Sequence, residues 1–170
     1  YYEVKQLAKE HQYSNRSVWN GWLRKGIVPV AILKDLLALG YNIKEIKCAY
    51  LKVNHNSQGV PLNIDISEEL LTLIGLWLGD GCYDKKSVLI SSNSPEEKVI
   101  ICNLASKYGF SVKIHSDRLT SMIHSTTLKT LWREVFELKG DAYTKRIPNW
   151  VFSLSNEQIS FVLRGLFSAD

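Results

Sequence analysis

Two aspartates, Asp80 and Asp170, stand at matching positions of an internal repeat. The segment LIGLWLGD, residues 73–80, corresponds to LRGLFSAD, residues 163–170, in leucine, glycine and aromatic positions and in its final Asp. In each copy a glycine is followed four residues later by a second small residue, as Gly75 by Gly79 and Gly165 by Ala169. Residues four apart share one face of a helix, so each copy predicts a helix whose bare strip lets the other helix approach closely.

Direct packing of the two helices predicts a metal site at Asp80 and Asp170. Each carboxylate ends its helix at the negative end of the helix dipole, where it is disfavoured unless a cation compensates. Two carboxylates and the carbonyls of two helix ends offer hard oxygen ligands, which suit Mg²⁺. Such an ion serves phosphodiester hydrolysis by activating water and stabilising the leaving oxygen. The alternative is that both aspartates are helix-terminal polar residues without a metal.

The elements that must position these helices predict an α+β domain. Asp65 and Glu68 have capping-box spacing at the start of the first repeat helix, about 67–79, and Ser155 with Gln158 repeats that spacing before the second. Hydrophobic periodicity between the two predicts, in chain order, a strand at 87–91, a helix at 95–108, strands at 111–115 and 120–124, and a helix at 128–138.

The first 50 residues predict a separate helix-turn-helix-like segment, joined to the rest by a linker at 51–64. Of its three short helices the second, about 16–24, would contact nucleic acid through polar side chains of types that suit phosphates and base edges, namely Asn15, Arg16, Asn20 and Arg24. Residues 1–60 carry nine Lys or Arg against four Asp or Glu, a net charge of +5, whereas the remainder has a net charge of −1. This asymmetry favours an anionic partner for the N-terminal segment; a plain three-helix bundle with a solvated face is the alternative.

The repeated segments resemble the paired LAGLIDADG motifs of homing endonucleases. The intervening TKRIPNW, residues 144–150, is similar to the lysine-containing block between the motifs in intein-borne members. The resemblance covers about residues 65–170. It implies αββαββα halves, with residues 65–154 as the first half-domain and 155–170 as the first helix of a second half, which the sequence does not continue.

The resemblance also implies the chemistry of the site and its substrate. It assigns Asp80 and Asp170 to the metal, with backbone carbonyls of Gly79 and Ala169 as further ligands, and places Lys145 near the scissile phosphate. The substrate is double-stranded DNA and the metal Mg²⁺, with Mn²⁺ as a substitute. The full-length parent, of which this chain would be the front part, is expected to be a pseudo-symmetric monomer.

The predicted strand pair supplies a second candidate DNA surface. Lys113 and His115 share one face, Val112 and Ile114 share the other, and Arg118 lies in the turn. The polar face would meet DNA, although an antiparallel sheet with one solvated side would show the same alternation.

Composition narrows the remaining choices. Three cysteines without metal-ligand spacing predict free thiols, and neither a long apolar run nor a signal peptide is present, so we expect a protein of the cytoplasm or nucleoid that meets no membrane. The favoured function is a Mg²⁺-dependent, site-specific DNA endonuclease. The alternatives are a non-catalytic transcription regulator of the same fold and a degenerate intein insert.

Overall fold

A computed structural model describes residues 2–42, 49–53 and 57–169. Contacts divide the chain into two units, residues 1–47 and 48–170. The described residues form seven α-helices and two small antiparallel sheets, which confirms the α+β class. No helix in the described ranges is long and apolar enough to cross a membrane.

The first unit is built from three helical segments around a small apolar core. These are α1 (Tyr2–Glu10), α2 (Asn15–Ser17) with a π-helical continuation at Val18–Leu23, and α3 (Val30–Ala38). Ser14 caps α2 by accepting a hydrogen bond from the Ser17 N–H. The core consists of Leu7, Ala8, Val18, Trp22 and Ile32.

Two details of the first unit concern the regularity and the ends of its helices. The second helix contains a π-helical turn, in which the Arg24 N–H donates to the carbonyl of Trp19, five residues back. Pro29 is the N-cap of the third helix rather than its first residue, because its ψ of 143° is extended. Gly26 and Gly40 follow their helices with positive φ, which glycine adopts without strain.

The second unit begins with a short sheet where a linker was predicted. Strands β1 (Tyr50–Leu51) and β2 (Val60–Pro61) pair antiparallel, and the Val60 side chain is fully buried in the core. The segment 51–64 that was predicted as a linker therefore contains strand residues at Leu51 and at Val60–Pro61; residues 54–56 lie outside the described part of the chain. Short strands of this kind carry no periodic pattern, which is why the sequence read as a loop.

The main body of the second unit follows the order α, β, β, α, β, β, α. Its elements are α4 (Glu68–Asp80), β3 (Gly81–Tyr83), β4 (Ser87–Ser91), α5 (Pro95–Lys107), β5 (Val112–Ile114), β6 (Thr120–His124) and α6 (Thr126–Thr130), which continues as a π-helical turn at Leu131–Val135. A 3₁₀ turn (Asn149–Ser153) and α7 (Asn156–Ser168) complete the unit. The four-stranded sheet is antiparallel in the order β3-β4-β6-β5.

Helix α4 is the centre of this unit. Every residue from Leu70 to Leu78 is buried, and the rings of Trp77 and Trp132 meet edge to face, 6.4 Å apart between centroids. Ser67 caps the helix by accepting from the Leu70 N–H, so the predicted cap at Asp65 is wrong. At α7 the predicted capping box of Ser155 and Gln158 is confirmed.

Candidate functional site

Helices α4 and α7 pack backbone to backbone along their glycines. A Cβ added to Gly75 would lie 2.1 Å from the carbonyl oxygen of Val162, and one added to Gly165 would lie 2.0 Å from that of Thr72. A Cβ on Gly79 would lie 2.3 Å from the Cβ of Ala169. The structure thus brings together the four small residues that the repeat singled out, and no larger side chain fits between these helices.

The contacts advance in the same direction along both helices. Gly75 lies against Gly165 and Leu166, and Gly79, one turn later, lies against Ala169. The helices are therefore parallel, and their C-terminal ends lie side by side. At the other end of the contact the Arg164 guanidinium bonds the carboxylate of Glu68 at 2.6 Å and the hydroxyl of Thr72 at 2.9 Å, which links the two helices outside the glycine strip.

Asp80 is the last residue of α4 and is exposed where the two helices end. It lines a cleft of about 420 Å³, together with Ser91, Ser92, Asn93, Ser94, Leu119, Ser168 and Ala169. Helix α4 passes directly into β3 at Gly81. The Trp77 ring covers this residue so closely that a Cβ there would lie 2.2 Å from a ring carbon. Asp80 is thus held at the mouth of the cleft by the buried helix before it and the strand after it.

Lys145 reaches the same helix end from the loop that follows α6. Its ammonium donates to the carbonyl oxygens of Trp77, at 3.0 Å, and Gly79, at 2.9 Å, and lies 5.0 Å from the centroid of the Trp77 ring. Partial burial lowers the pKa of Lys145, and the neighbouring Asp80 carboxylate opposes that shift. The ammonium therefore supplies positive charge where the helix dipole and Asp80 are both negative.

The loop that delivers Lys145 is held by its own hydrogen bonds. The Asp141 carboxylate accepts from the N–H groups of Tyr143 and Thr144 and from the Thr144 hydroxyl, and these bonds lower the pKa of Asp141. Gly140 has a φ of +101°, and a Cβ there would lie 2.7 Å from the backbone nitrogen of Lys145. Sequence reasoning missed Gly140 and Asp141, although a Gly-Asp pair is a common turn signal.

The described residues supply one carboxylate to the metal site that the sequence predicted. Asp170 lies outside them, and no group of three or more His, Cys, Asp or Glu side chains suited to a metal occurs within them. The Gly79 carbonyl accepts from Lys145, and a carbonyl oxygen has a second lone pair for another partner. The chemistry of Asp80 and of this carbonyl fits Mg²⁺, which prefers oxygen ligands and retains several waters.

The remaining predicted residues fall into two separate groups. On the second unit Lys113, His115 and Arg118 are exposed on β5 and on the turn to β6. Arg118 has a left-handed φ of 58°, and its carbonyl accepts from Lys98. On the first unit the four predicted DNA contacts are exposed on the helical segment that also carries the buried Val18 and Trp22; they are Asn15, Arg16, Asn20 and Arg24.

Asp117 organises the turn between β5 and β6. Its carboxylate accepts from the N–H groups of Leu119 and Thr120 and from the Thr120 hydroxyl, and these bonds lower the pKa of Asp117 to about 2. The His115 ring lies 3.3 Å from the same carboxylate. Sequence reasoning placed the turn here correctly but did not find the serine and asparagine side chains of the cleft, because residues 91–94 read only as the junction between a strand and a helix.

Comparisons with known proteins find segments similar to this chain in two much longer proteins. The DNA polymerase II large subunit of Thermococcus kodakarensis is 26% identical over 175 residues, which are 98% of this chain and 10% of that protein. An iron–sulfur cluster assembly SufBD family protein of Mycobacterium leprae is 29% identical over 111 residues, 61% of this chain and 12% of that protein. The chain thus spans about a tenth of each relative. No protein-family model matches the sequence.

Proposed function

We propose that this chain is part of a LAGLIDADG homing endonuclease of the intein-borne type, which cuts double-stranded DNA at a specific site in a Mg²⁺-dependent reaction. The observation that carries the proposal is the parallel packing of α4 and α7 through Gly75 and Gly165, which brings two helix ends together at the cleft of Asp80. An ordinary helix pair does not need small residues at the same positions of two repeated segments, such as 73–80 and 163–170.

The order of elements supports the same proposal. From α4 to α6 the second unit follows the αββαββα order that the resemblance implies, and α7 occupies the position of the first helix of a second half. The glycine-lined contact between α4 and α7 corresponds to the interface between halves in that family. The outward face of the four-stranded sheet is then the surface that meets DNA.

The two relatives support an inserted module. One is named as a polymerase subunit and the other as an iron–sulfur cluster assembly protein, and those names share no activity. A segment that resembles about a tenth of each is explained most simply as an insert that different host proteins carry. A transcription regulator would not be expected inside such hosts, so this distribution favours the endonuclease over that alternative.

Each residue at the cleft would have a separate role in the proposed reaction. Asp80 and, from the repeat, Asp170 would hold Mg²⁺, which when bound supplies an activated water and stabilisation of the leaving oxygen. Lys145 has three N–H donors, of which two are directed to the carbonyls of Trp77 and Gly79. The third is left for a phosphate oxygen at the cleft. The first unit would extend the recognised sequence through Arg16 and Arg24.

Cleavage of DNA by the full-length protein tests this function. Duplexes that the protein binds are enriched from a random library and incubated with Mg²⁺; wild type should cut them, and Asp80→Asn should bind them without cutting. Asp84→Asn is the matched control, because Asp84 is an exposed carboxylate four residues further on in the turn after β3. Equal cleavage by wild type and Asp80→Asn would refute the proposal.

A further inference from the structure

The outward face of the four-stranded sheet has an apolar centre. Leu89 on β4 lies opposite Met122 on β6. Their neighbours along the strands, Val88 and Ile123, are buried in the core. Side chains alternate between the two faces of a strand, so Leu89 and Met122 lie on the opposite face, where both are partly exposed.

The hydroxyl groups at one end of this apolar pair are bonded within the sheet. The Thr120 hydroxyl donates its single hydrogen to the Asp117 carboxylate at 2.8 Å. Ser91 therefore donates to Thr120, whose oxygen lies 3.1 Å from its own. Because Asp117 has a pKa of about 2, it is an ionised acceptor at neutral pH and keeps this direction of donation. At the other end Ser87 bonds the His124 ring at 3.1 Å.

Lysines lie at two borders of the face, next to Asp84 in one turn. Lys113 on β5 continues the row of Leu89 and Met122 to one edge of the sheet, and Lys85 and Lys86 are exposed in the turn between β3 and β4. Exposed lysines at the border of such a face can contact DNA phosphates. The face thus combines a charged border with a centre whose hydroxyl donors at one end are already engaged.

Resting on the proposed function, we propose that Leu89 and Met122 select thymine in the DNA major groove through its C5-methyl group. In that groove guanine offers only acceptors, which require donors from the protein, and adenine offers an acceptor and a donor; thymine offers an acceptor and, alone among the four bases, a methyl group that an apolar side chain contacts. At the end of this face that carries Ser91 and Thr120, both hydroxyl groups already donate their hydrogens within the sheet. The centre of the face therefore suits a methyl group better than a guanine edge.

Uracil substitution in the bound duplex tests this selection. The full-length protein is used to enrich duplexes from a random library, and each thymine of the enriched sequence is then replaced by uracil, which lacks only the methyl group. We expect one or two positions at which wild type binds uracil about fourfold more weakly, equivalent to about 0.8 kcal/mol for one buried methyl group. At those positions cytosine should bind as weakly as uracil, and 5-methylcytosine more tightly than cytosine.

Protein variants then assign the effect to the two side chains. In Leu89→Ala/Met122→Ala the uracil and thymine duplexes should bind with equal affinity. Lys113→Ala is the matched control on the same face: it should weaken binding to both duplexes and leave their ratio unchanged. Thermal unfolding of each variant shows whether it is folded, and the measurements on wild type need no substitution.

The outcomes separate this inference from the function on which it rests. If no sequence is enriched, the proposed function fails and the thymine selection fails with it. If a sequence is enriched but uracil replaces every thymine without loss, or if the double variant keeps the wild-type ratio, the selection by Leu89 and Met122 is overturned while site-specific DNA binding stands. Association of two copies through this face, abolished in the double variant, would also overturn it.

Discussion

Replacing Gly165 or Gly75 with alanine should drive α4 and α7 apart. Ordinary van der Waals contact begins at 3.4 Å, whereas the added Cβ would lie 2.0 Å from the Thr72 carbonyl oxygen in the first variant and 2.1 Å from that of Val162 in the second. The helices would therefore have to separate by more than about 1 Å. Both obstacles are backbone atoms in helices, so neither can rotate away.

The expected cost follows from two opposing contributions. Overpacking of a rigid contact costs about 3 kcal/mol, at the upper end of its usual range. Alanine is favoured over glycine inside a helix by about 1 kcal/mol, which leaves a net loss of about 2 kcal/mol. For a unit of the size of residues 48–170 this lowers the melting temperature by about 8 °C.

Thermal unfolding followed by circular dichroism measures this loss. Gly21→Ala is the matched control, because the nearest atom to its added Cβ is the Ile27 carbonyl oxygen at 3.8 Å, an ordinary contact. That variant should keep or slightly raise the stability of the first unit. If Gly165→Ala and Gly75→Ala both melted within about 2 °C of wild type, the backbone-to-backbone packing of α4 and α7 would be refuted, and with it the geometry of the Asp80 cleft.

Three further predictions concern the groups around the site. Lys145→Met should lower the free energy of unfolding by about 1–2 kcal/mol through loss of two charge-assisted hydrogen bonds. Because burial lowers the pKa of Lys145 below its ordinary 10.5, the unfolded chain keeps the lysine proton to higher pH than the folded protein does. The stability advantage of wild type over the variant in urea unfolding should therefore grow as pH rises towards 10.5, and a constant advantage would contradict this. An NMR titration should give Asp117 a pKa of about 2, and this pKa should rise towards 3.8 in Thr120→Val. The stabilising contribution of the Asp117 carboxylate is present above pH 3.8 and is lost as pH falls to about 2. An unchanged pKa in the variant would be inconsistent with the hydrogen bonds from Thr120 to Asp117. In the proposed endonuclease, Gly140→Ala should reduce DNA cleavage because the added Cβ meets the backbone of Lys145, and full activity of this variant would show that the loop adapts.

Strongly periodic elements of the second unit could be predicted from the sequence. The strand Ser87–Ser91 was predicted to the residue, and the capping box of Ser155 and Gln158 was found because side-chain caps are local in sequence. The cap of α4 was misplaced by two residues because both Asp65 and Ser67 are suitable capping residues. The structure selects Ser67, whose hydroxyl accepts from the Leu70 N–H.

Elements that depend on distant partners could not be predicted. Strand β3 has three residues, and only its pairing with β4, such as Cys82 opposite Leu89, makes it a strand. The π-helical turn at Leu131–Val135 inserts one residue into a helix that the periodicity describes as regular. Its position reflects the packing of Trp132 against Trp77, which are 55 residues apart in the sequence.

Lys145 shows how the structure extends a role that sequence similarity alone implied. The resemblance placed this lysine near the scissile phosphate, and the structure places its ammonium on two carbonyls at the end of α4. These roles are compatible because the helix end concentrates negative charge next to Asp80. In the proposed endonuclease, an ammonium fixed there would offset the repulsion between that carboxylate and the phosphate of the DNA before a metal binds. Lys145 should therefore matter for binding of DNA at the cleft as well as for its cleavage, whereas Asp80→Asn, which removes a negative charge, should leave binding intact.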